Sequence, residues 1–245
     1  MKFYNMSKSD EKIANVSFDG TIGEDWWDTA SKTAGDFRDE LKELGDVETI
    51  NVSINSPGGS VFDGVAIYNM LKNHKAKINV VVDGLAASIA SVIAMAGDTL
   101  TMNTGSMLMI HNPWTIAQGN SKDLRETADT LDKLRDNILS IYTDKTGLNE
   151  DDVKQLMDAE TWLTSEEAFK QGWVDSTNEQ IAVAASIDKD VAKFYQKLPD
   201  KLQAEAEANL NDEETPKSKF DDEYRQQIKA HIELINAQQK EIQNG

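Results

Sequence analysis

The stretch KINVVVDGLAASIASVIAMAG, residues 77–97, decides the fold class. Its first part, residues 77–83, is an apolar run that predicts a buried strand, and residues 88–97 predict a short helix of small side chains. Ser88 therefore stands at a turn from strand to helix. The alanines and Ser91 allow the helix to lie close to a sheet. Ser88 is either one more packing residue or a nucleophile beside the unpaired backbone N–H groups of a helix start.

Strand and helix patterns alternate on both sides of this stretch. Predicted strands cover residues 13–19, 47–55, 98–103 and 106–112, and predicted helices cover residues 25–45, 61–76, 121–147, 149–158 and 164–172. The last helix opens with a capping-box pattern from Thr164 to Glu167. This alternation predicts an α/β layered fold with largely parallel strands and right-handed crossovers.

The character of the chain changes after residue 180. We expect one domain over residues 1–180 and a charged extension over residues 181–245 that is partly helical or flexible. Residues 198–219 have the polar composition of a linker or a frayed helix. Residues 220–245 place apolar side chains near a 3.5-residue spacing, which indicates an amphipathic helix with a partner.

Composition excludes several classes of function. The net charge of −18 disfavours a nucleic-acid partner, and no apolar run is long enough for a membrane span. The N-terminus lacks the apolar region of a secretory signal, so we expect a cytoplasmic protein. The chain has no cysteine, which excludes disulfides, thiol catalysis and Cys-ligated metal sites.

A serine nucleophile needs a base, and the chain offers three histidines. His111 ends the predicted strand 106–112, where an imidazole can face a cleft. His74 stands at a helix end among basic residues, and His231 lies in the polar tail. If Ser88 is a nucleophile, His111 is the candidate base, although a buried or solvated histidine without a catalytic role has the same local pattern.

The turn SPGGS, residues 56–60, adds a third candidate element. Two glycines after a proline give the backbone conformations that other residues rarely adopt. Such a turn either aims N–H groups at a substrate carbonyl or simply connects a strand to a helix.

Taken together, four stretches resemble the proteolytic subunit of Clp protease (ClpP). They are INSPGGSVFDGVAIYNMLK (54–72), GLAASIASVIAMAGD (84–98), MLMIHNP (107–113) and WLTSEEAFKQGWVDS (162–176). The resemblance covers roughly residues 12–178. The stretch ETWLTSEEA, residues 160–168, is similar to phage-encoded relatives, the head maturation or prohead proteases.

The resemblance implies a role for each matching residue. Ser88 takes the place of the family nucleophile and His111 that of its base, while the N–H groups of Gly59 and Ile89 take the place of the oxyanion donors. The family acid is usually an aspartate, and its position here holds Glu160, with Asp158 as the nearby alternative. The implied reaction is peptide-bond hydrolysis that needs no metal and no cofactor.

The resemblance also implies an assembly. The family fold is a spiral of β-β-α units, and residues 114–145 fit the handle that joins two heptameric rings around polypeptide substrates. A Clp-type ATPase or phage capsid proteins are the implied partners. The first twelve residues differ from the axial segment of the family, which puts the ATPase in doubt.

Two other functions compete with this interpretation. A crotonase-type acyl-CoA enzyme shares the spiral fold and the paired N–H donors, but CoA favours basic residues that this acidic chain lacks. A ClpP-fold assembly protein without activity would keep the fold alone, and the retained Ser88 and His111 argue against it.

Overall fold

The computed structural model describes residues 3–23, 32–181, 187, 189–193, 195–200 and 202–203. Its strands are β1 (Tyr4–Lys8), β2 (Ile13–Asp19), β3 (Thr49–Ser56), β4 (Lys77–Ala87), β5 (Thr99–Thr104), β6 (Met107–Ile110), β7 (Thr161–Thr164) and β8 (Ser176–Ile181). Its helices are α1 (Ala34–Glu43), α2 (Val61–Lys72), α3 (Ile89–Ala94), α4 (Ser121–Thr146), α5 (Glu150–Asp158), α6 (Ser165–Lys170) and α7 (Lys189–Ala192). None of the helices in these ranges has the length and apolar character that a membrane crossing requires.

The strands form one mixed sheet in the order β1-β2-β3-β4-β5-β8, and β6 and β7 extend it from β4. Strands β2 to β5 run parallel, whereas β1 on β2 and β7 on β6 are antiparallel. The predicted α/β fold with largely parallel strands is therefore confirmed. Strand β4 is central because its first part pairs with β5 and its last residues pair with β6.

The core lies between this sheet and the helices that follow its strands. Alternate residues of β3 and β4, such as Val52 and Val80, are almost completely buried. Burying one such side chain contributes about 1.5–3 kcal/mol relative to leaving it exposed. All six residues of α3 are buried, and a Cβ on Gly64 of α2 would lie only 2.1 Å from Cγ1 of Ile89. Small residues thus bring α2, α3 and the sheet into close contact, as the sequence predicted.

Helix α4 is the 26-residue element that corresponds to the predicted handle. Asn120 caps its start in a reciprocal capping box with Asp123, and Gly147 ends it in the left-handed conformation. Its C-terminal half contributes Ile138 and Tyr142 to the core. Its N-terminal half is largely exposed, so this half is available for other contacts.

Several predictions change in detail. Helix α1 begins at Ala34 behind an N-cap at Thr33, whereas the prediction began at residue 25; residues 24–31 lie outside the described ranges. The strands β1, β7 and β8 were not predicted, because each is short and at least partly polar. The capping box from Thr164 to Glu167 is confirmed.

The C-terminal part of the chain is described only in pieces. The predicted helix over residues 220–245 and most of the predicted linker over residues 198–219 lie outside the described residues. The domain boundary at residue 180 stays a prediction. Beyond it, Ile187 and Leu202 are buried against residues of the sheet.

Candidate active site

Ser88 occupies a strained turn between β4 and α3. Its backbone has φ 55° and ψ −128°, a combination that non-glycine residues rarely adopt. Such a conformation costs on the order of 1–3 kcal/mol and is found mainly at functional sites. The N–H of Ser88 donates to the carbonyl of Met109 at 3.0 Å, which ties the turn to the neighbouring strand β6.

Gly58 and Ser91 hold the turn at Ser88 in place through contacts that the sequence did not predict. Gly58 lies directly against Ser88, because a Cβ on Gly58 would be 2.7 Å from Ser88 Cβ and 2.8 Å from the carbonyl oxygen of Ala87. Ser91 Oγ donates to the carbonyl of Ser88 at 2.5 Å and lies 2.7 Å from the hydroxyl of Tyr142. Ser91 therefore does more than allow close packing: it anchors the carbonyl of the turn from the buried side.

His111 follows β6 and reaches Ser88 directly. Its Nε2 lies 2.7 Å from Ser88 Oγ. The parallel pairing of β4 with β6 places Ala87 opposite Met109, so the residues that follow both strands lie side by side. Burial lowers the pKa of His111 below its ordinary value, and the charge of Glu160 partly opposes this shift. The imidazole is therefore largely neutral near pH 7 and can accept a proton.

Of the other two histidines, His74 lies away from Ser88 and His231 lies outside the described residues. His74 sits at the end of α2, where its Nδ1 accepts the N–H of Ala76 at 3.0 Å. This contact gives it a local structural role. His231 belongs to the part of the chain that the structure does not describe.

The glycine turn that precedes α2 lies beside Ser88 and presents an N–H group. Gly58 and Gly59 have φ of 96° and 147°, and a Cβ on Gly59 would lie 2.1 Å from the carbonyl oxygen of Ile22. Within the described ranges, neither the N–H of Gly59 nor that of Ile89 donates to a protein acceptor. The two N–H groups are therefore available to a bound oxygen atom.

Glu160 is buried next to the site, immediately before β7, and its hydrogen bonds go to other groups than His111. Its carboxylate accepts the backbone N–H of Gln196 at 2.9 Å and that of Lys197 at 2.7 Å. The indole N–H of Trp162 donates to it at 3.4 Å. In the described part of the chain no hydrogen bond joins Glu160 to His111, and the carboxylate acts on the imidazole through its charge, which raises the pKa of His111.

Asp158, the alternative acid, has a different partner. Its exposed carboxylate accepts the side-chain N–H of Asn112 at 2.8 Å. Glu160 is the carboxylate whose charge acts on the pKa of His111, and Asp158 contributes no comparable effect. The geometry therefore favours Glu160 over Asp158 as the partner of the imidazole.

Tyr195 is a further residue at the site that sequence reasoning missed. Its ring centre lies 5.9 Å from that of His111 and 5.3 Å from that of Trp162. Its hydroxyl donates to the carbonyl of Pro57, immediately before the two glycines. No local signal marks Tyr195, because it lies beyond residue 180 and outside the four stretches that resemble the protease family.

A cavity of about 680 Å³ opens beside Gly59. Its walls come from the start of α2, the connection after His111 and the N-terminal half of α4. Apolar side chains on these walls include Phe62, Trp114 and Leu131. Over the described residues, no group of three or more His, Cys, Asp or Glu side chains is placed to hold a metal ion.

The chain is similar to Clp protease, both in the family model that it matches and in its curated relatives. The family model of Clp protease matches residues 33–180. The chain is 34% identical over 148 residues to the ATP-dependent Clp protease proteolytic subunit of Bacteroides fragilis, an alignment that covers 58% of this chain and 72% of the relative. It is 35% identical over 135 residues to the Deinococcus radiodurans subunit of that name, covering 54% and 66%. It is 34% identical over 138 residues to proteolytic subunit 2 of a Synechococcus strain, covering 56% and 70%.

Proposed function

Since the chain belongs to the Clp protease family and is a serine-type endopeptidase of that family, we propose that Ser88 is its nucleophile, His111 its general base and Glu160 the acid of the triad. The observation that carries the assignment is the 2.7 Å distance between His111 Nε2 and Ser88 Oγ at a strained turn. The lowered pKa of His111 supports it, because a base must be unprotonated to act.

The reaction follows from these positions. Ser88 Oγ attacks the scissile carbonyl while His111 Nε2 takes its proton, and the resulting imidazolium returns that proton to the leaving amine. The N–H groups of Gly59 and Ile89 donate to the oxyanion that forms. Loss of one such donor in a comparable site costs about 10²–10³ in kcat. Water, activated by His111, then hydrolyses the acyl-enzyme.

Glu160 has the role of orienting the imidazole in this proposal. A triad acid accepts the Nδ1–H of the base, holds its tautomer and stabilises the imidazolium. Glutamate is one methylene longer than the usual aspartate but offers the same acceptor atoms. The position of its charge beside His111 supports the assignment.

The substrates in this proposal are polypeptides. The cavity beside Gly59 is large enough for side chains of an extended peptide, and its walls carry both apolar and polar side chains. Family relatives carry the name ATP-dependent Clp protease proteolytic subunit. The proposal therefore includes a homo-oligomeric ring, heptameric or a double ring, in which α4 is the handle, and a Clp-type ATPase is a candidate partner.

A narrower form of the proposal assigns the enzyme to maturation of a phage prohead, with capsid proteins as substrates, in the cytoplasm of a bacterial or phage-infected cell. Its support is the similarity of residues 160–168 to phage-encoded relatives. To test this form of the proposal, the enzyme is incubated with purified phage proheads. The proposal predicts that shortened capsid proteins appear.

Cleavage of an unfolded polypeptide tests the peptidase assignment. Wild type, Ser88→Ala and His111→Ala are incubated with reduced, carboxymethylated casein, and the fragments are measured by mass spectrometry. We expect fragments from the wild type and a loss of about 10³-fold or more in both variants. His74→Ala is the matched control, since His74 lies just after α2, where its Nδ1 accepts the N–H of Ala76, and it should cleave as the wild type does. Equal cleavage by Ser88→Ala and the wild type would contradict the assignment.

A further inference from the structure

The described residues 195–200 and 202–203, here called the latch segment, lie beside the site that holds Ser88 and His111, with the ring of Tyr195 next to that of His111. We propose that the latch segment is an autoinhibitory element: it engages the carboxylate of Glu160, keeps that carboxylate from the imidazole of His111, and must leave before the peptidase reaches full activity. The inference rests on the proposed function.

Two backbone N–H groups of the latch segment bind the carboxylate of Glu160. The N–H of Gln196 donates to one carboxylate oxygen and the N–H of Lys197 to the other. Hydrogen bonds to a charged acceptor are roughly twice as strong as neutral ones. The ammonium of Lys197 adds a bond of 2.5 Å to the carbonyl of Ala159. The latch segment thus binds the buried acid with both of its oxygens engaged.

Tyr195 of the latch segment contacts both the proposed base and the glycine turn. Its ring lies against His111 and Trp162, and its hydroxyl donates to the carbonyl of Pro57. Burial raises the pKa of Tyr195, which keeps the hydroxyl protonated and able to donate. One side chain of the latch segment therefore spans from the proposed base to the backbone that precedes Gly58.

Apolar side chains hold the latch segment on the sheet. Leu202 is almost completely buried with Leu85, Ala87 and Met109, and Leu198 packs on the same cluster. These sheet residues belong to the ends of β4 and β6, the two strands that lead to Ser88 and His111. The latch segment is therefore held by the same strands that position the site.

These contacts leave the triad incomplete. Ser88 and His111 are in contact, but within the described ranges His111 makes no hydrogen bond to Glu160. In a serine protease whose acid no longer holds the correct tautomer of the histidine, kcat falls by about 10⁴. Departure of the latch segment would free both oxygens of Glu160 to accept the Nδ1–H of His111.

The latch segment acts on the acid and the base, and it contributes no residue to the walls of the cavity beside Gly59. Inhibition of this kind changes the chemical step more than substrate binding. Release should therefore raise kcat and leave KM nearly unchanged.

The test uses variants of the full chain that remove the two N–H donors. Gln196→Pro/Lys197→Pro deletes both, because proline has no N–H, and the side chains that it replaces are exposed. Gln196→Ala/Lys197→Ala is the matched control, which keeps both N–H groups. With a fluorogenic dipeptide amide, we expect the proline variant to raise kcat about tenfold or more with KM within about twofold of the wild type, and the alanine variant to change kcat less than about threefold.

If the proline variant has the same kcat as the wild type, the autoinhibition proposal is overturned. A lower kcat overturns it too, and shows instead that the latch segment completes the site. Amide hydrogen exchange in full-length Ser88→Ala tests the contact without activity: we expect protection of Gln196 and Lys197, and exchange as fast as in an unstructured peptide would also overturn it. Failure of the proposed function looks different. It would give no hydrolysis and no fluorophosphonate adduct in any variant, and would overturn both proposals.

Discussion

His111 Nε2 lies 2.7 Å from Ser88 Oγ, although 23 positions separate the two residues in the chain. The contact follows from the pairing of β4 with β6, which places Ala87 opposite Met109 and brings together the residues after both strand ends. Two adjacent parallel strands of a rigid sheet therefore fix the proposed nucleophile and base relative to each other.

Replacement of Gly58 by alanine should impair catalysis as well as stability, because Gly58 has φ 96° and a Cβ there would also lie 2.8 Å from the carbonyl oxygen of Ala87. The same Cβ would lie 2.7 Å from that of Ser88, so the serine must shift, and a misplacement of about 1 Å can cost about 10²-fold in rate. We expect kcat to fall by about that factor in a peptide hydrolysis assay.

Gly45→Ala is the matched control for this prediction. Gly45 also has a positive φ, of 65°, but a Cβ there would meet nothing within 4 Å. We expect a loss of about 1 kcal/mol in the free energy of unfolding with kcat unchanged. Equal kcat values for Gly58→Ala and Gly45→Ala would show that contact with Gly58 does not position Ser88.

Loss of the Ser91 hydroxyl should destabilise the protein through Tyr142. In Ser91→Ala the buried hydroxyl of Tyr142 loses its side-chain partner, which costs about 1–3 kcal/mol in the free energy of unfolding. Urea unfolding measures this change. The variant Ser91→Ala/Tyr142→Phe should recover part of the loss, because no hydroxyl is then left buried without a partner. A double variant that is less stable than the sum of both single changes would contradict this explanation.

Glu160→Gln should change the pH dependence of kcat/KM. Burial lowers the pKa of His111 and the charge of Glu160 raises it, so removal of that charge lowers the pKa further. The acid limb of kcat/KM, which reports protonation of the free enzyme's base, should move to lower pH, and kcat should fall because glutamine stabilises the imidazolium less.

Asp158→Asn is the control for the choice of acid. Asp158 contacts Asn112 and does not shift the pKa of His111, so the acid limb should stay where it is in the wild type. An acid limb that moves in Asp158→Asn and stays in Glu160→Gln would reverse the assignment of the two carboxylates.

The junction from β4 to α3 could be predicted from the sequence because its signals are local. A run of β-branched residues followed by small ones defines a buried strand and a tightly packed helix, and Ser88 between them is visible without a structure. His111 was the candidate base among the three histidines, and the family resemblance then gave Gly59, Ile89 and Glu160 as candidates. Their roles remain proposals, whereas the fold and the family are confirmed.

The contacts that surround this junction could not be predicted, because they join distant parts of the chain. Gly58 against Ser88 depends on the approach of two strand ends, and Ser91 with Tyr142 joins residues 51 positions apart. The contact of Tyr195 with Pro57 spans 138 positions and starts from a residue that the sequence assigned to the extension after residue 180. Local periodicity carries no information on such pairs.

The measurement that tests the central claim most directly is the intact mass of the full chain after treatment with a fluorophosphonate, followed by peptide mapping, for wild type, Ser88→Ala, His111→Ala and the control Ser7→Ala. Ser7 lies in β1, away from the site. We predict one adduct on the wild type and on Ser7→Ala, mapped to the peptide that contains Ser88, no adduct on Ser88→Ala, and labelling of His111→Ala slowed by about 10³-fold or more. An adduct that persists in Ser88→Ala, or a folded wild type that takes up none, would contradict the claim that Ser88 and His111 form the reactive pair.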